Sequence, residues 1–224
     1  MISMPTMIER AARLNPGGVC TRFEGRELSW AETRDQIARL AAALASLGLD
    51  EGDRVGILSL NSDRYYQAVF AIPWAGCAMV PLNTRWALPE NNYAVTDSGV
   101  RVLLFDDTFA EQAQQLLRDV ESLEVAIYMG DDACPDWASS FTDMLAAHAP
   151  IALPELDSNG MAGIFYTGGT TGFPKGVMQS HRAIWASAVG ALPFMGMHRK
   201  SVYLHAAPMF HMADFAGSMG STMS

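Results

Sequence analysis

The segment YTGGTTGFPKG, residues 166–176, contains four glycines, three threonines and one lysine in eleven positions. Glycine allows the backbone to approach a ligand closely, so that successive N–H groups can surround an anion. Threonine hydroxyls add hydrogen-bond donors, and lysine adds a mobile positive charge. These are the groups that bind a polyphosphate, although a glycine-rich stretch can also be a plain hairpin turn. We predict a phosphate loop made by Thr167, Gly168, Gly169, Thr170, Thr171, Gly172 and Lys175.

Two common phosphate motifs do not describe this loop. The pattern GxxxxGK[ST] needs glycine before its lysine and a hydroxyl residue after it, whereas Pro174 precedes Lys175 and Gly176 follows. The lysine of that motif opens a helix, while residues 176–179 have the composition of a short strand. The dinucleotide pattern GxGxxG fails in spacing and in its position along the chain.

The elements that must carry the loop alternate between strand and helix from residue 54 to residue 129. The predicted strands are apolar throughout, which is typical of strands covered on both faces. We predict an α/β fold, with a layered, mostly parallel sheet flanked by helices. The uncharged run from Tyr65 to Thr84 contains Pro73, Gly76 and Pro81, which indicate a buried helix and strand, with no transmembrane segment.

Upstream of this region, local signals predict a helix, a hairpin and a second helix. Thr6 is expected to cap a helix from Met7 to Leu14, and Glu24-Gly25 to form the turn of a β-hairpin. Ser29 followed by Glu32 is the pattern of a capping box at the start of the second helix.

Downstream, residues 130–158 predict a surface excursion with one short helix from Phe141 to Ala147. Its aspartates, Asp131, Asp132 and Asp136, lack the regular spacing of metal ligands, and we interpret them as a solvated loop. Further strands are predicted at residues 161–167, 175–179 and 201–208. Ser180 is expected to cap a helix, and a helix or loop follows from residue 209.

The composition excludes several classes of function. The chain has a net charge of −9, so it lacks the clustered positive charge that non-specific nucleic-acid binding needs. Cys20, Cys77 and Cys134 are far apart and form neither a zinc pattern nor a disulfide framework, which favours the reducing cytoplasm. Charged residues interrupt the N-terminal stretch, so no signal peptide is expected.

Three stretches together resemble the adenylate-forming superfamily, which includes acyl-CoA synthetases, luciferases and peptide-synthetase adenylation domains. Residues 166–177 are similar to its signature phosphate loop, with Gly168 where serine is usual. VPLNTR, residues 80–85, resembles acyl- and aryl-CoA ligases, whereas peptide synthetases tend to have aspartate in place of Asn83. APMFHMADF, residues 207–215, resembles the segment near the acyl pocket.

The resemblance implies that Phe210 and His211 bind the acyl substrate. A lone histidine such as His211 is otherwise most often a satisfied core residue. His181, although histidine is frequent at its place in the superfamily, is interpreted as a structural residue at a helix N-terminus.

The chemistry implied is ATP-dependent activation of a carboxylic acid, expected to be a fatty acid, followed by thioester formation with coenzyme A. ATP, Mg²⁺ and coenzyme A are the implied cofactors, with the small-molecule acid as a partner. Residues 1–224 would be a partial N-terminal domain for ATP and acyl binding, without the C-terminal domain, so no catalytic residue and no metal ligand is assigned. An inactive fragment or polyphosphate-binding module remains an alternative, as does an aryl-CoA ligase or a luciferase-like enzyme. A homodimer is left open.

Overall fold

The computed structural model describes residues 2–168 and 174–224. The first half of the described chain contains the elements α1 (Thr6–Leu14), β1 (Val19–Phe23), β2 (Arg26–Ser29), α2 (Trp30–Ala45), β3 (Arg54–Leu58), α3 (Asp63–Trp74), β4 (Ala78–Pro81), α4 (Leu88–Ser98) and β5 (Val100–Phe105). The second half contains a 3-10 turn (Asp107–Phe109), α5 (Ala110–Asp119), β6 (Val125–Tyr128), β7 (Ser139–Ser140), α6 (Phe141–Ala147), β8 (Met161–Thr167), β9 (Lys175–Ser180), α7 (His181–Met195) and α8 (Met212–Met223).

A seven-stranded sheet in the order β7-β6-β5-β3-β4-β8-β9 organises the described residues. All neighbouring strands are parallel except β8 and β9, which are antiparallel. The chain runs from β3 to β4 on one side and then crosses to β5 on the other side of β3. The strand order therefore reverses between β3 and β5, and in such sheets ligands bind outside the carboxyl ends of the strands near this point.

Helices cover both faces of the sheet, as the apolar strands predicted. On one face, α2 and α3 bury large side chains such as Leu40, Phe70 and Trp74. On the other face, α4 and α5 bury Val95 and Leu116 against β5 and β6. Each fully buried aliphatic or aromatic side chain stabilises the fold by about 1.5–3 kcal/mol, so the two cores hold the strand ends in fixed positions.

Several local predictions are confirmed. The hairpin turn places Glu24 and Gly25 at φ values of 45° and 82°. At the start of α2, Ser29 Oγ accepts the backbone N–H of Glu32, whose carboxylate accepts the backbone N–H of Ser29. The short helix in the surface excursion spans Phe141–Ala147.

The predicted cap of the first helix is wrong. Thr6 is the first residue inside α1, and Pro5 occupies the capping position without a side-chain hydrogen bond. The Thr6 hydroxyl donates to the carbonyl of Ser3 at 2.6 Å. It therefore bonds backwards along the chain, where proline already sets the helical φ angle.

The strand predicted at residues 201–208 is also wrong, because this segment forms neither helix nor strand. Val202 and Leu204, two apolar side chains of the predicted strand, are 91% and 79% exposed. The backbone carbonyls of His205 and Ala207 accept hydrogen bonds from a side chain rather than from a neighbouring strand.

Within the described chain, no helix is long and apolar enough to cross a membrane.

Candidate functional site

The predicted phosphate loop connects two antiparallel strands. Its stem is closed by Thr167 of β8 and Lys175 of β9, which are partners in the strand register. The Thr167 hydroxyl donates to the Lys175 carbonyl at 3.4 Å. Gly168 is exposed, and a Cβ built there would meet no atom of residues 2–168 or 174–224 within 4 Å. Residues 169–173, with the predicted ligands Gly169, Thr170, Thr171 and Gly172, lie outside the described residues.

Lys175 supplies an exposed positive charge at the end of the stem. Within residues 2–168 and 174–224, no ion pair includes its ammonium group. A lysine without a carboxylate partner keeps its charge for a ligand, and a phosphate is the anion that it suits.

A tyrosine fastens the stem to the neighbouring helix. Tyr166 donates its hydroxyl hydrogen bond to Asp97 of α4 at 2.6 Å. Burial, and then this hydrogen bond, raise the pKa of Tyr166 well above its usual value, so the phenol stays protonated. Its cross-strand partner is Gly176, where a Cβ would come within 3.1 Å of the tyrosine ring and 2.8 Å of Ile164. Glycine at this position therefore leaves room for the tyrosine that anchors the loop.

Asp106 joins the carboxyl ends of β3 and β5, where the strand order reverses. Its carboxylate accepts the backbone N–H of Leu60 at 2.6 Å, the hydroxyl of Ser59 at 3.0 Å and the backbone N–H of Thr108 at 3.0 Å. Burial raises the pKa of Asp106 despite these donors. Asp106 was not among the residues predicted from the sequence, although an aspartate directly after a buried strand is a recognisable signal.

The segment VPLNTR leaves the same edge of the sheet after β4. The backbone N–H of Leu82 donates to Ile57 of β3 at 2.9 Å, which continues the sheet pairing past the end of β4. Asn83 Oδ1 then accepts the backbone N–H of Arg85 at 2.9 Å and turns the chain. The carbonyl of Asn83 accepts a hydrogen bond from Asn91 of α4 at 3.4 Å.

Asn61, which follows β3, holds the segment that leads to the predicted acyl-binding residues. Its amide nitrogen donates to the carbonyls of His205 and Ala207 at 2.9 and 2.8 Å. Its amide oxygen accepts the backbone N–H of Met209 at 2.8 Å. Asn61 was not predicted from the sequence, because its partners lie more than 140 residues away.

The two predicted acyl-binding residues lie at the start of α8. Phe210 is partly buried and packs against the core shared by α2 and α3. His211 is exposed, and its Nδ1 accepts the backbone N–H of Ala213 at 3.3 Å, which caps α8. The two rings meet edge to face, with centroids 6.4 Å apart. His211 is therefore a surface residue with a local capping role and is not a core histidine.

A buried carboxylate fixes the other end of this segment. Asp214 is 1% exposed, and its two oxygens accept hydrogen bonds from the Tyr203 hydroxyl at 3.1 Å and from His205 Nδ1 at 2.6 Å. The Tyr203 and His205 rings meet at right angles, 4.9 Å apart. Burial, together with the nearby carboxylate, raises the pKa of Tyr203 to about 12.

Other residues singled out from the sequence have structural roles. His181 is the first residue of α7 and is buried, and its Nδ1 accepts the backbone N–H of Met4 at 3.3 Å. Asp131 pairs with Arg26 and Arg64 at 2.7 and 2.9 Å, which ties the surface excursion to the fold. The three cysteines are free. Across the described ranges, no group of three histidines, cysteines or carboxylates could hold a metal ion.

Comparison with known proteins identifies relatives of this arrangement. The profile of the AMP-binding enzymes matches residues 8–224. A long-chain-fatty-acid–CoA ligase from Thermus thermophilus is 33% identical over 212 residues, covering 92% of this chain and 38% of the relative. A feruloyl-CoA synthase from an Amycolatopsis species is 34% identical over 210 residues, covering 91% of this chain and 38% of the relative. The chain therefore spans well under half the length of these relatives.

A solved relative has the same fold. The o-succinylbenzoate CoA synthetase of Bacillus subtilis, in complex with its acyl-adenylate intermediate, superposes with a TM-score of 0.80 at 26% identity. The match covers 98% of this chain and 42% of that one. The same synthetase with ATP and magnesium ion gives a TM-score of 0.79 at 25% identity over 97% of this chain and 54% of that one.

Proposed function

The chain belongs to the AMP-binding enzyme family, and from this premise we propose that the whole protein is an AMP-forming acyl-CoA ligase. In the proposed reaction, the carboxylate of an organic acid attacks the α-phosphorus of ATP. The P–O bond to the leaving pyrophosphate breaks, and an acyl-adenylate forms. The thiol of coenzyme A then attacks the acyl carbon and releases AMP.

The observation that carries the proposal is the exposed loop stem at the edge of the sheet. Lys175 lies beside Thr167 at the carboxyl end of β8, and ligands of such sheets bind outside the carboxyl ends of the parallel strands. We propose that the loop between them, Thr167 to Lys175, binds the β- and γ-phosphates of ATP. Such contacts lower the barrier mainly by positioning the phosphates and neutralising their charge.

The described residues fit ATP better than they fit a metal. Among the described residues, no atom would meet a Cβ at Gly168 within 4 Å and no ion pair includes Lys175, and both features suit a polyphosphate. No metal-holding cluster occurs in the described part of the chain, so we propose magnesium only as the counter-ion that accompanies ATP. Coenzyme A is proposed as the thiol because the relatives are named as CoA ligases.

The acid remains the open part of the proposal. The relatives act on a long-chain fatty acid in one case and on a feruloyl group in another, as their names state. We propose an apolar acid, expected to be a fatty acid, because Phe210 offers a partly buried aromatic ring beside His211. An aromatic acid is the alternative, and an assay with both classes separates them.

We further propose a cytoplasmic location, since three free cysteines suit a reducing compartment.

The domain assignment also stays a proposal: residues 1–224 would form part of an N-terminal ATP- and acyl-binding domain. For these 224 residues alone we propose binding without turnover.

The test is acid-dependent exchange of pyrophosphate into ATP by the full-length protein. Palmitate, octanoate, ferulate and o-succinylbenzoate serve as probes, and a reaction without acid is the baseline. Exchange above that baseline with any one acid is the expected result, and its rank order decides between the fatty and aromatic classes. A folded protein that gives only baseline exchange with every acid would refute the proposal.

A further inference from the structure

Asn61 lies at the point of the sheet where ligands are expected. It follows β3 by three residues, next to the boundary with β5 where the strand order reverses. Asp106 fixes the chain just before it, because its carboxylate binds both Ser59 and the backbone N–H of Leu60. The position of Asn61 is therefore set by two neighbouring strands.

The Asn61 amide group satisfies three backbone groups of a distant segment. Its nitrogen donates to two carbonyls, those of His205 and Ala207, and its oxygen accepts the N–H of Met209. This pattern fixes the orientation of the amide, since carbonyls only accept and an N–H only donates. A carboxylate or a hydrocarbon of the same size would not reproduce it.

The segment that Asn61 binds has no regular structure of its own. Residues 201–211 form neither helix nor strand. Local backbone bonds join Ala206 to Leu204 and His211 to Pro208, and side chains bind other backbone groups of the segment. Asp214 binds the Tyr203 and His205 side chains at one end of the segment. Asn61 is the side chain that binds its backbone near the other end, directly before Phe210.

We propose that Asn61 is a positioning residue that sets the place of Phe210 and His211 for the acyl substrate, which rests on the function proposed above. It does not touch the reacting atoms and acts through the backbone of residues 205–209. A displacement of about 1 Å in a substrate-positioning group can reduce a rate by about 100-fold. Loss of the Asn61 amide therefore affects the acid more than ATP, whose proposed site is built on β8 and β9.

The experiment compares Asn61→Ala, Asn61→Asp and Asn159→Ala in the full-length protein. Asn61→Asp keeps the acceptor for Met209 but removes the donors to the two carbonyls. Asn159 is an exposed surface asparagine and serves as the matched control. Pyrophosphate exchange is measured while the acid and ATP are varied separately, with the best acid from the panel as probe.

We expect kcat/KM for the acid to fall about 10- to 100-fold in both Asn61 variants, with KM for ATP within about twofold of the wild type. Amide hydrogen exchange should also become faster at Met209.

An unchanged kcat/KM for the acid, or equal losses of kcat/KM for the acid and for ATP, would overturn the positioning role. A lower melting temperature with normal kinetics would mean that Asn61 only stabilises the fold and would overturn it too. If the wild type itself shows no acid-dependent exchange, the proposed function fails first and the positioning role falls with it.

Discussion

Gly163 allows the strand that leads to the phosphate loop to lie against its neighbour. It is the residue of β8 that pairs with Met79 of β4. A Cβ at this position would lie 2.8 Å from both the carbonyl oxygen and Cγ of Met79, and 3.3 Å from the Phe165 ring. The Met79 side chain can rotate, but its carbonyl belongs to the sheet and cannot. Gly163→Ala therefore forces the two strands apart.

The expected size of the effect follows from this contact. Overpacking of a well-filled interior costs about 1–3 kcal/mol, and the backbone obstacle places Gly163→Ala within that range. Gly190 in α7 is the matched control, because a Cβ there would meet none of the described atoms within 4 Å. Gly190→Ala should instead stabilise the protein by about 0.4–1 kcal/mol through the lower entropy of the unfolded chain.

Urea unfolding followed by circular dichroism measures the free energy of unfolding of both variants and of the wild type. We expect the free energy of unfolding to fall in Gly163→Ala and to rise in Gly190→Ala, although both changes replace glycine by alanine. A Gly163→Ala variant within 0.5 kcal/mol of the wild type, roughly the scatter of neutral surface substitutions, would refute the claim that β4 and β8 touch at this residue.

Three further predictions concern charge and protonation. Lys175→Ala in the full-length protein should reduce the rate of pyrophosphate exchange about 10- to 150-fold, because it removes one charge-assisted hydrogen bond of about 1.5–3 kcal/mol. The control variant Lys200→Ala should leave the rate unchanged. Equal effects of the two variants would contradict the assignment of the phosphate loop. Burial lowers the pKa of His181, whose neutral ring accepts the N–H of Met4. As the pH falls, the unfolded state therefore binds a proton at His181 before the folded state does. The free energy of unfolding should decrease below about pH 6.5, with His181 contributing at most about 1.4 kcal/mol per pH unit. His181→Gln should flatten that slope in urea titrations at pH 5 to 7, and an unchanged slope would count against it. Burial raises the pKa of Cys77 to about 12, so iodoacetamide at pH 8 should label it only after unfolding, and rapid labelling of the native protein would show the burial to be wrong.

The sequence predicted the sheet well because its signals are local. Apolar runs with helical stretches between them indicated a covered parallel sheet, and the pair Ser29 and Glu32 indicated a capping box within four residues. The strand predicted at residues 201–208 is absent, and its apolar side chains Val202 and Leu204 are exposed, because a short apolar run does not reveal whether a neighbouring strand is present.

The site was predictable only in part. Thr167 and Lys175 belong to a contiguous motif, and the structure brings them together as register partners. Asn61 and Asp106 make their contacts across strands, and nothing in their immediate neighbours in the sequence marks those partners. A search for polar residues within three positions after each buried strand would have included both.

The two parts of the proposed site differ in how much chain must be folded before each exists. The β8–β9 hairpin joins residues only eight positions apart at Thr167 and Lys175, so it closes a short loop. The contact between Asn61 and Met209 spans 148 positions. Short loops close in well under a microsecond, whereas distant contacts form late and slow the folding of the chain. The β8–β9 hairpin can therefore form early during folding. The segment that leads to Phe210 and His211 reaches its place only after β3 and the start of α8 have folded.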